Sequence, residues 1–168
     1  EEGGMTPLHL AVKMGNAHLL PLLIEYGANL VAQNHAGETP LHKAASNGDK
    51  KCIVILLRHM HRGRNIKDNH GNTPLAVSAI KGDYDCFKEM LRRNNYETTN
   101  RKGQNLYHIL YAHTDLDQGH KAILNHLFQI FPRGIYDIDN EGNTCFHILA
   151  QKGLRPETTE LIHQMRLH

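Results

Sequence analysis

The stretch that decides the fold runs Gly37-Glu38-Thr39-Pro40-Leu41-His42-Lys43-Ala44-Ala45-Ser46-Asn47-Gly48-Asp49. Thr39 followed by Pro40 reads as a helix N-cap with proline at the first helical position. The Thr hydroxyl can accept an early backbone N–H, and proline loses nothing where that N–H would be orphaned anyway. The short helix that follows carries Ala44 and Ala45, small enough for a neighbouring helix to approach closely. Gly48-Asp49 then breaks it and starts a turn. Beyond the break, Ile53, Ile55, Leu56 and Leu57 are spaced for the apolar side of a second helix. A polar turn, Asp68-Asn69-His70-Gly71, closes the unit.

The same tetrapeptide stands on either side, as Thr6-Pro7-Leu8-His9 and Thr73-Pro74-Leu75-Ala76. Two looser copies follow, Asn105-Leu106-Tyr107-His108 and Thr144-Cys145-Phe146-His147. The steps between copies are 33, 34, 32 and 39 residues, with a glycine two residues ahead of each: Gly4, Gly37, Gly71, Gly103 and Gly142. Gly15-Asn16 and Gly82-Asp83 repeat the mid-unit break.

A helix–turn–helix unit of about 33 residues opened by Thr-Pro-Leu-His resembles the ankyrin repeat. The resemblance covers essentially the whole chain as five units, approximately 1–33, 34–67, 68–99, 100–138 and 139–168. It implies a single all-α domain, a solenoid of helix–turn–helix units joined by β-hairpin-like turns. Each unit buries its apolar side against its neighbours because it cannot do so alone. In this family the tetrapeptide imidazole looks like a strut between turn and helix. Its recurrence at His9, His42, His108 and His147 therefore points to architecture, since an active site needs only one copy.

The fourth unit departs from the pattern. Leu110 and Tyr111 stand where the other units have small residues, and Thr114 stands where they have glycine. Its extra length is expected at Thr114 to Gly119, between its two helices. A second helix in the fifth unit is expected over Glu157 to Leu167. The first unit carries a regular apolar pattern at Leu8, Leu10, Val12 and Leu19, whereas a terminal cap shows a polar outer side. The chain thus reads as a piece of a longer protein with more repeats upstream.

Composition argues against several other classes. The net charge of +2 does not by itself imply nucleic acid. There is no tryptophan, and the few aromatics, such as Tyr107 and Phe146, read as core and not as stacking platforms for single strands. No apolar run is long enough to cross a bilayer. Cys52, Cys86 and Cys145 are odd in number and more than thirty residues apart, which fits neither a disulfide framework nor a metal site. Free thiols suit a reducing, intracellular setting, cytoplasmic or nuclear. His59-Met60-His61 lacks further ligands nearby and sits beside Arg58, Arg62 and Arg64, so it reads as a basic helix end and not as a metal site. No nucleophile motif or phosphate-cradling loop occurs, and no enzyme, cofactor or metal is implied.

What the resemblance does imply is a protein partner held by the turn tips and the first-helix side, which together form a concave groove. Carried over unit by unit, the candidates are Met5, Lys13 and Met14, then His35, Glu38 and Asn47 with Ser46. The third unit offers Asn69, His70, Asn72 and Lys81 with Ile80, and the fourth Arg101, Lys102, Gln104 and His113. The fifth offers Asn143, with Asn140, Glu141, Gln151 and Lys152. Charge is uneven: residues 50–102 carry net +7, against −3 before and −2 after. That band suits an acidic segment of a partner, although Arg58, Arg92 and Arg93 are equally explained as helix-end cations. The expected function is a protein–protein interaction module within a larger scaffold or regulatory protein. The alternatives are a structural or regulatory segment of a large enzyme or channel making intrachain contacts, and an inhibitor of Rel-type transcription factors.

Overall fold

The computed structural model describes residues 3–92, 96–112 and 116–153. Among them the chain forms nine α-helices and no strand. These are α1 (Pro7–Lys13), α2 (Leu20–Glu25), α3 (Pro40–Asn47), α4 (Lys50–His59), α5 (Pro74–Lys81), α6 (Tyr84–Leu91), α7 (Leu106–Ala112), α8 (Gln118–Ile130) and α9 (Cys145–Lys152). Short 3-10 turns occur at Ala17–Leu19 and Pro132–Tyr136. The helix expected over Glu157 to Leu167 lies outside the described residues.

The helices stack in two rows. The first helices of successive units pack α1 on α3, α3 on α5, α5 on α7 and α7 on α9; the second helices pack α2 on α4, α4 on α6 and α6 on α8. Ala44, Ala45, Ser78 and Ala79 are fully buried in the first row, which is how small residues bring its backbones together. Ile53, Leu56, Leu57, Phe87 and Met90 are buried in the second. The helix breaks are formed as the sequence suggests: Gly48 and Gly82 take φ of 71° and 72° at the ends of α3 and α5, where a side chain would be strained. Asp49 and Asp83 then cap α4 and α6 by accepting the backbone N–H of Cys52 and Cys86.

One hydrogen-bonded device recurs in the four turns that join one unit to the next. The Oδ1 of Asn34 accepts the N–H groups of Ala36 and Glu38, at 3.0 and 2.9 Å. Asp68 does the same for His70 and Asn72, Asn100 for Lys102 and Gln104, and Asp139 for Glu141 and Asn143. The turns then join tip to tip through single backbone bonds. His35 N–H donates to Gly3, Asn69 to Ala36, Arg101 to His70 and Asn140 to Lys102.

The fourth unit is built differently. Every residue from Leu106 to Tyr111 is buried. Tyr107 stacks on Phe128 with ring centroids 5.3 Å apart and donates its hydroxyl to the Phe131 carbonyl at 3.0 Å. Large side chains in the first helix demand a longer cover, and α8 has 13 residues where α4 has 10 and α6 has 8. This corrects the expected position of the extra length. Lys50 and Tyr84 begin their helices ten residues after Pro40 and Pro74, and Gln118 begins twelve after Leu106. Only two extra residues therefore fall between the helices, and the rest lengthen α8 and the turn at Pro132–Tyr136. The start of α8 is locked in place. A Cβ on Gly119 would stand 1.7 Å from the Gly82 carbonyl oxygen, so the two backbones touch.

Candidate functional site

The tetrapeptide histidines hold the turn tips in place. In the first unit the Thr6 N–H donates to His9 Nδ1 at 3.2 Å, and in the second the Thr39 N–H donates to His42 Nδ1 at 3.0 Å. Nδ1 therefore carries the lone pair, and Nε2–H donates forward into the next turn. His9 reaches the Glu38 carbonyl at 2.9 Å and His42 the Asn72 carbonyl at 3.0 Å. Both rings are fully buried, and burial lowers their proton affinity below the ordinary histidine value despite the carbonyl bond that favours the cation. His147 forms the same box with Thr144, at 3.1 Å from the backbone N–H. The strut reading of the sequence is thus seen directly.

In the fourth unit the cap is Asn105 in place of threonine. Its amide is oriented by donation to the Gly134 carbonyl at 2.7 Å and the Asp137 carboxylate at 3.0 Å. Its Oδ1 accepts the N–H of Tyr107 and faces His108 Nδ1 at 2.7 Å, while His108 Nε2 faces the Asn143 carbonyl at 2.9 Å.

On this frame the candidate residues divide into two sets. The first is occupied in shaping the turns. Glu38 is ion-paired with Lys43 at 2.7 Å and accepts from Asn34 at 2.9 Å. Burial pushes its carboxyl upward, but those two bonds and the Lys43 charge outweigh it and hold the group below the ordinary range. Asn47 donates to the Val12 carbonyl at the end of α1, and Asn69 to the His35 carbonyl. Asn72, Gln104 and Asn143 give their backbone N–H groups to the turn carboxylate or amide ahead of them. The Glu38, Asn47 and Asn69 side chains are less free than turn-tip position alone suggests, and the backbones of Asn72, Gln104 and Asn143 are fixed, because a turn without strand pairing must satisfy its own backbone groups.

The second set projects outward. Lys13, Met14, His35, His70, Lys81, Arg101 and Lys102 are exposed, with Met5 half-buried beside them. Ser46, Asn140, Glu141, Gln151 and Lys152 are also exposed, and Ile80 is half-buried. His113 lies outside the described residues. The structure gathers Met5, Lys13 and His35 around a concavity of about 400 Å³ between the first turn tip and α1 and α3, with Asn34, Ala36 and Lys43 completing its wall. Lys13 and Met14 meet Asn47 around a second, open hollow of about 660 Å³, edged by Lys50 and Lys51. Sequence reasoning missed Lys43, which its ion pair with Glu38 brings to the wall of the hollow.

The basic band is spread over distinct places. Arg101 and Lys102 sit on a turn tip, Lys81 in the last turn of α5, Arg58 in the last turn of α4 and Arg92 at the end of α6. Arg64 folds back onto the Met60 and Leu57 carbonyls, which places its charge at the C-terminal end of α4. The three cysteines are buried free thiols, pushed up to about 12 chiefly by desolvation. No helix among the described residues is long and apolar enough to cross a membrane.

Comparison with known proteins agrees with this architecture. The profile described as ankyrin repeats (3 copies) matches residues 8–103. Rabankyrin-5 of Mus musculus and of Homo sapiens are each 33% identical over 116 residues, 68% of this chain and 10% of theirs. The ADP-ribosylation factor GTPase-activating protein AGD4 of Arabidopsis thaliana is 41% identical over 68 residues, 40% of this chain and 9% of its own. The chain thus spans about a tenth of the length of these relatives. The crystal structure of EF0377, an ankyrin repeat protein, superposes with a TM-score of 0.81 at 25% identity, covering 91% of this chain and 77% of that one. Ankyrin repeats are in general modules of protein–protein interaction and not catalytic folds, and with its turns, struts and two helix rows this chain belongs to the ankyrin repeat family.

Proposed function

We propose that residues 1–168 form one interaction array of a larger intracellular protein, in which a partner protein lies along the turn tips and first helices. The observation that carries this reading is the hollow of about 400 Å³ walled by Met5, Lys13, His35 and Lys43. It lies between a braced turn and the first-helix row, so the backbone that carries these side chains needs no rearrangement when a partner arrives. His70, Lys81, Arg101 and Lys102 continue the exposed side chains along the array with a basic character, and the matching ligand is an acidic segment. Adjacent repeats or domains of the same longer chain are further contacts.

A second reading has one observation in its favour. AGD4 is named as a GTPase-activating protein and matches over only 9% of its length, so an ankyrin array of this kind also occurs beside another activity. In that arrangement the array contacts its own chain.

The test is capture from cell extract with the native array and with a variant carrying His70→Glu, Lys81→Glu, Arg101→Glu and Lys102→Glu, after both are shown to melt alike. The proposal expects a protein held by the first and lost by the second. Identical capture by both would overturn the groove assignment.

A further inference from the structure

Asn47-Gly48 is the one asparagine–glycine pair in the chain, and it stands at the break between α3 and α4. The first, third and fifth units have Met14, Lys81 and Lys152 ahead of the glycine at this point. Asparagine is chemically labile: the next backbone nitrogen can attack its side-chain amide and expel ammonia, and a following glycine has no Cβ to hinder the approach. In this fold both reacting groups are held. The Gly48 N–H donates to the α3 carbonyls of Ala44 and Ala45. The Asn47 side-chain amide donates to the Val12 carbonyl at 3.0 Å and the Lys13 carbonyl at 3.4 Å, at the end of α1. The same amide is thus the leaving group of the reaction and a bond between the first and second units. Asn47 is exposed and borders the open hollow edged by Lys50 and Lys51, so water reaches it.

We propose that Asn47-Gly48 is a self-modifying latch: when the last turn of α3 opens, the Asn47 amide is converted to a carboxylate and the first unit is released from the second. In the first step the Gly48 nitrogen bonds to Asn47 Cγ, the Cγ–Nδ2 bond breaks, and ammonia leaves with the Gly48 proton. Water then opens the cyclic imide at either carbonyl, giving aspartate or isoaspartate. Neither product has an N–H for the Val12 and Lys13 carbonyls, and its negative charge stands at the negative end of α1. Isoaspartate also adds a main-chain carbon just ahead of Asp49, whose carboxylate caps α4 by accepting the Cys52 N–H at 3.0 Å. The latch is independent of which partner the array holds.

Ageing the chain at mildly alkaline pH tests this, in buffer and in urea that unfolds it, with peptide mass spectrometry reading the conversion of each asparagine. The expected result is conversion chiefly at residue 47 in urea, and about 100-fold more slowly in the folded chain, because the reaction passes through a local opening. Equal rates in the two overturn the latch, and even conversion of all the asparagines in urea overturns the choice of site. The converted chain, separated from the native one by its added negative charge, is then read by amide exchange beside Asn47→Asp. In both, α1 is expected to exchange about tenfold faster while α5 and α7 keep their protection. Should Asn47→Asp fold poorly, the converted chain alone carries the reading, and unchanged exchange of its α1 overturns the release.

Discussion

In the first two units the tetrapeptide histidine reaches forward into the next turn; at the join between the third and fourth units the reach runs backward. The third unit has Ala76 at the histidine position, which leaves the Gln104 carbonyl without that donor. His120 of the fourth unit instead places Nε2 3.1 Å from the Ile80 carbonyl, with Nδ1 2.7 Å from Asp117. Gly119 lies directly on Gly82 beside it. The regular units are joined by a repeated polar strut. The irregular unit is joined by a close backbone contact at the start of α8, where Gly119 and His120 stand in the register of Lys51 and Cys52. A repeat array tolerates the loss of one device when side chains elsewhere at the same join supply another.

The largest expected effect falls on the irregular join. Gly119→Ala drives a methyl into the Gly82 carbonyl, and destabilisation of about 3 kcal/mol is expected from the forced separation. Chemical denaturation measures it, and a change below about 0.5 kcal/mol would break the distinction between the two joins. Next is His42→Ala, which strands the buried Thr39 N–H and leaves the Asn72 carbonyl with the Asp68 N–H as its remaining backbone donor, and which should cost about 2 kcal/mol. His147→Ala, at the exposed copy of the same box, should cost clearly less. The smallest expected effect is a gain. Ala76→His restores the forward strut to Gln104 and should add about 1 kcal/mol; a loss would show that the third join has repacked around the alanine.

Acid should loosen the regular struts. Burial lowers His9 and His42 from the ordinary value of 6.5, so as pH falls the unfolded chain takes up protons first. Their contribution is complete above about 6.5 and is lost as pH falls from there through the folded-state values. Protonation also sets an Nδ1–H against the Thr N–H in both struts. Amide exchange, corrected for its intrinsic pH dependence, should therefore show α1 and α3 loosening between pH 7.5 and 5.5. Unchanged protection of both helices over that range would contradict the assignment of the proton positions.

The regular part was legible because its signals are local. Thr-Pro caps, glycines at positive φ and alanines in the first helix each act within one unit and repeat. The lock of the fourth unit was illegible because Gly119 and Gly82 meet only through the stack, and a glycine near a helix start looks like an ordinary loop residue. Among the candidate site residues, position on a turn tip was readable, but occupation was not. Asn47 and Asn69 look as free in sequence as His70 and Lys102, yet they donate to carbonyls of the preceding unit.

The central functional claim is that the tips and first helices hold the partner, and site-directed photo-crosslinking tests it most directly. A photoreactive residue is placed at Lys81, on the first-helix side, and separately at Arg58, at the end of a second helix. Adducts to a partner protein from Lys81 and none from Arg58 are the predicted result. Adducts from Arg58 alone would contradict the account and move the binding surface to the second-helix row.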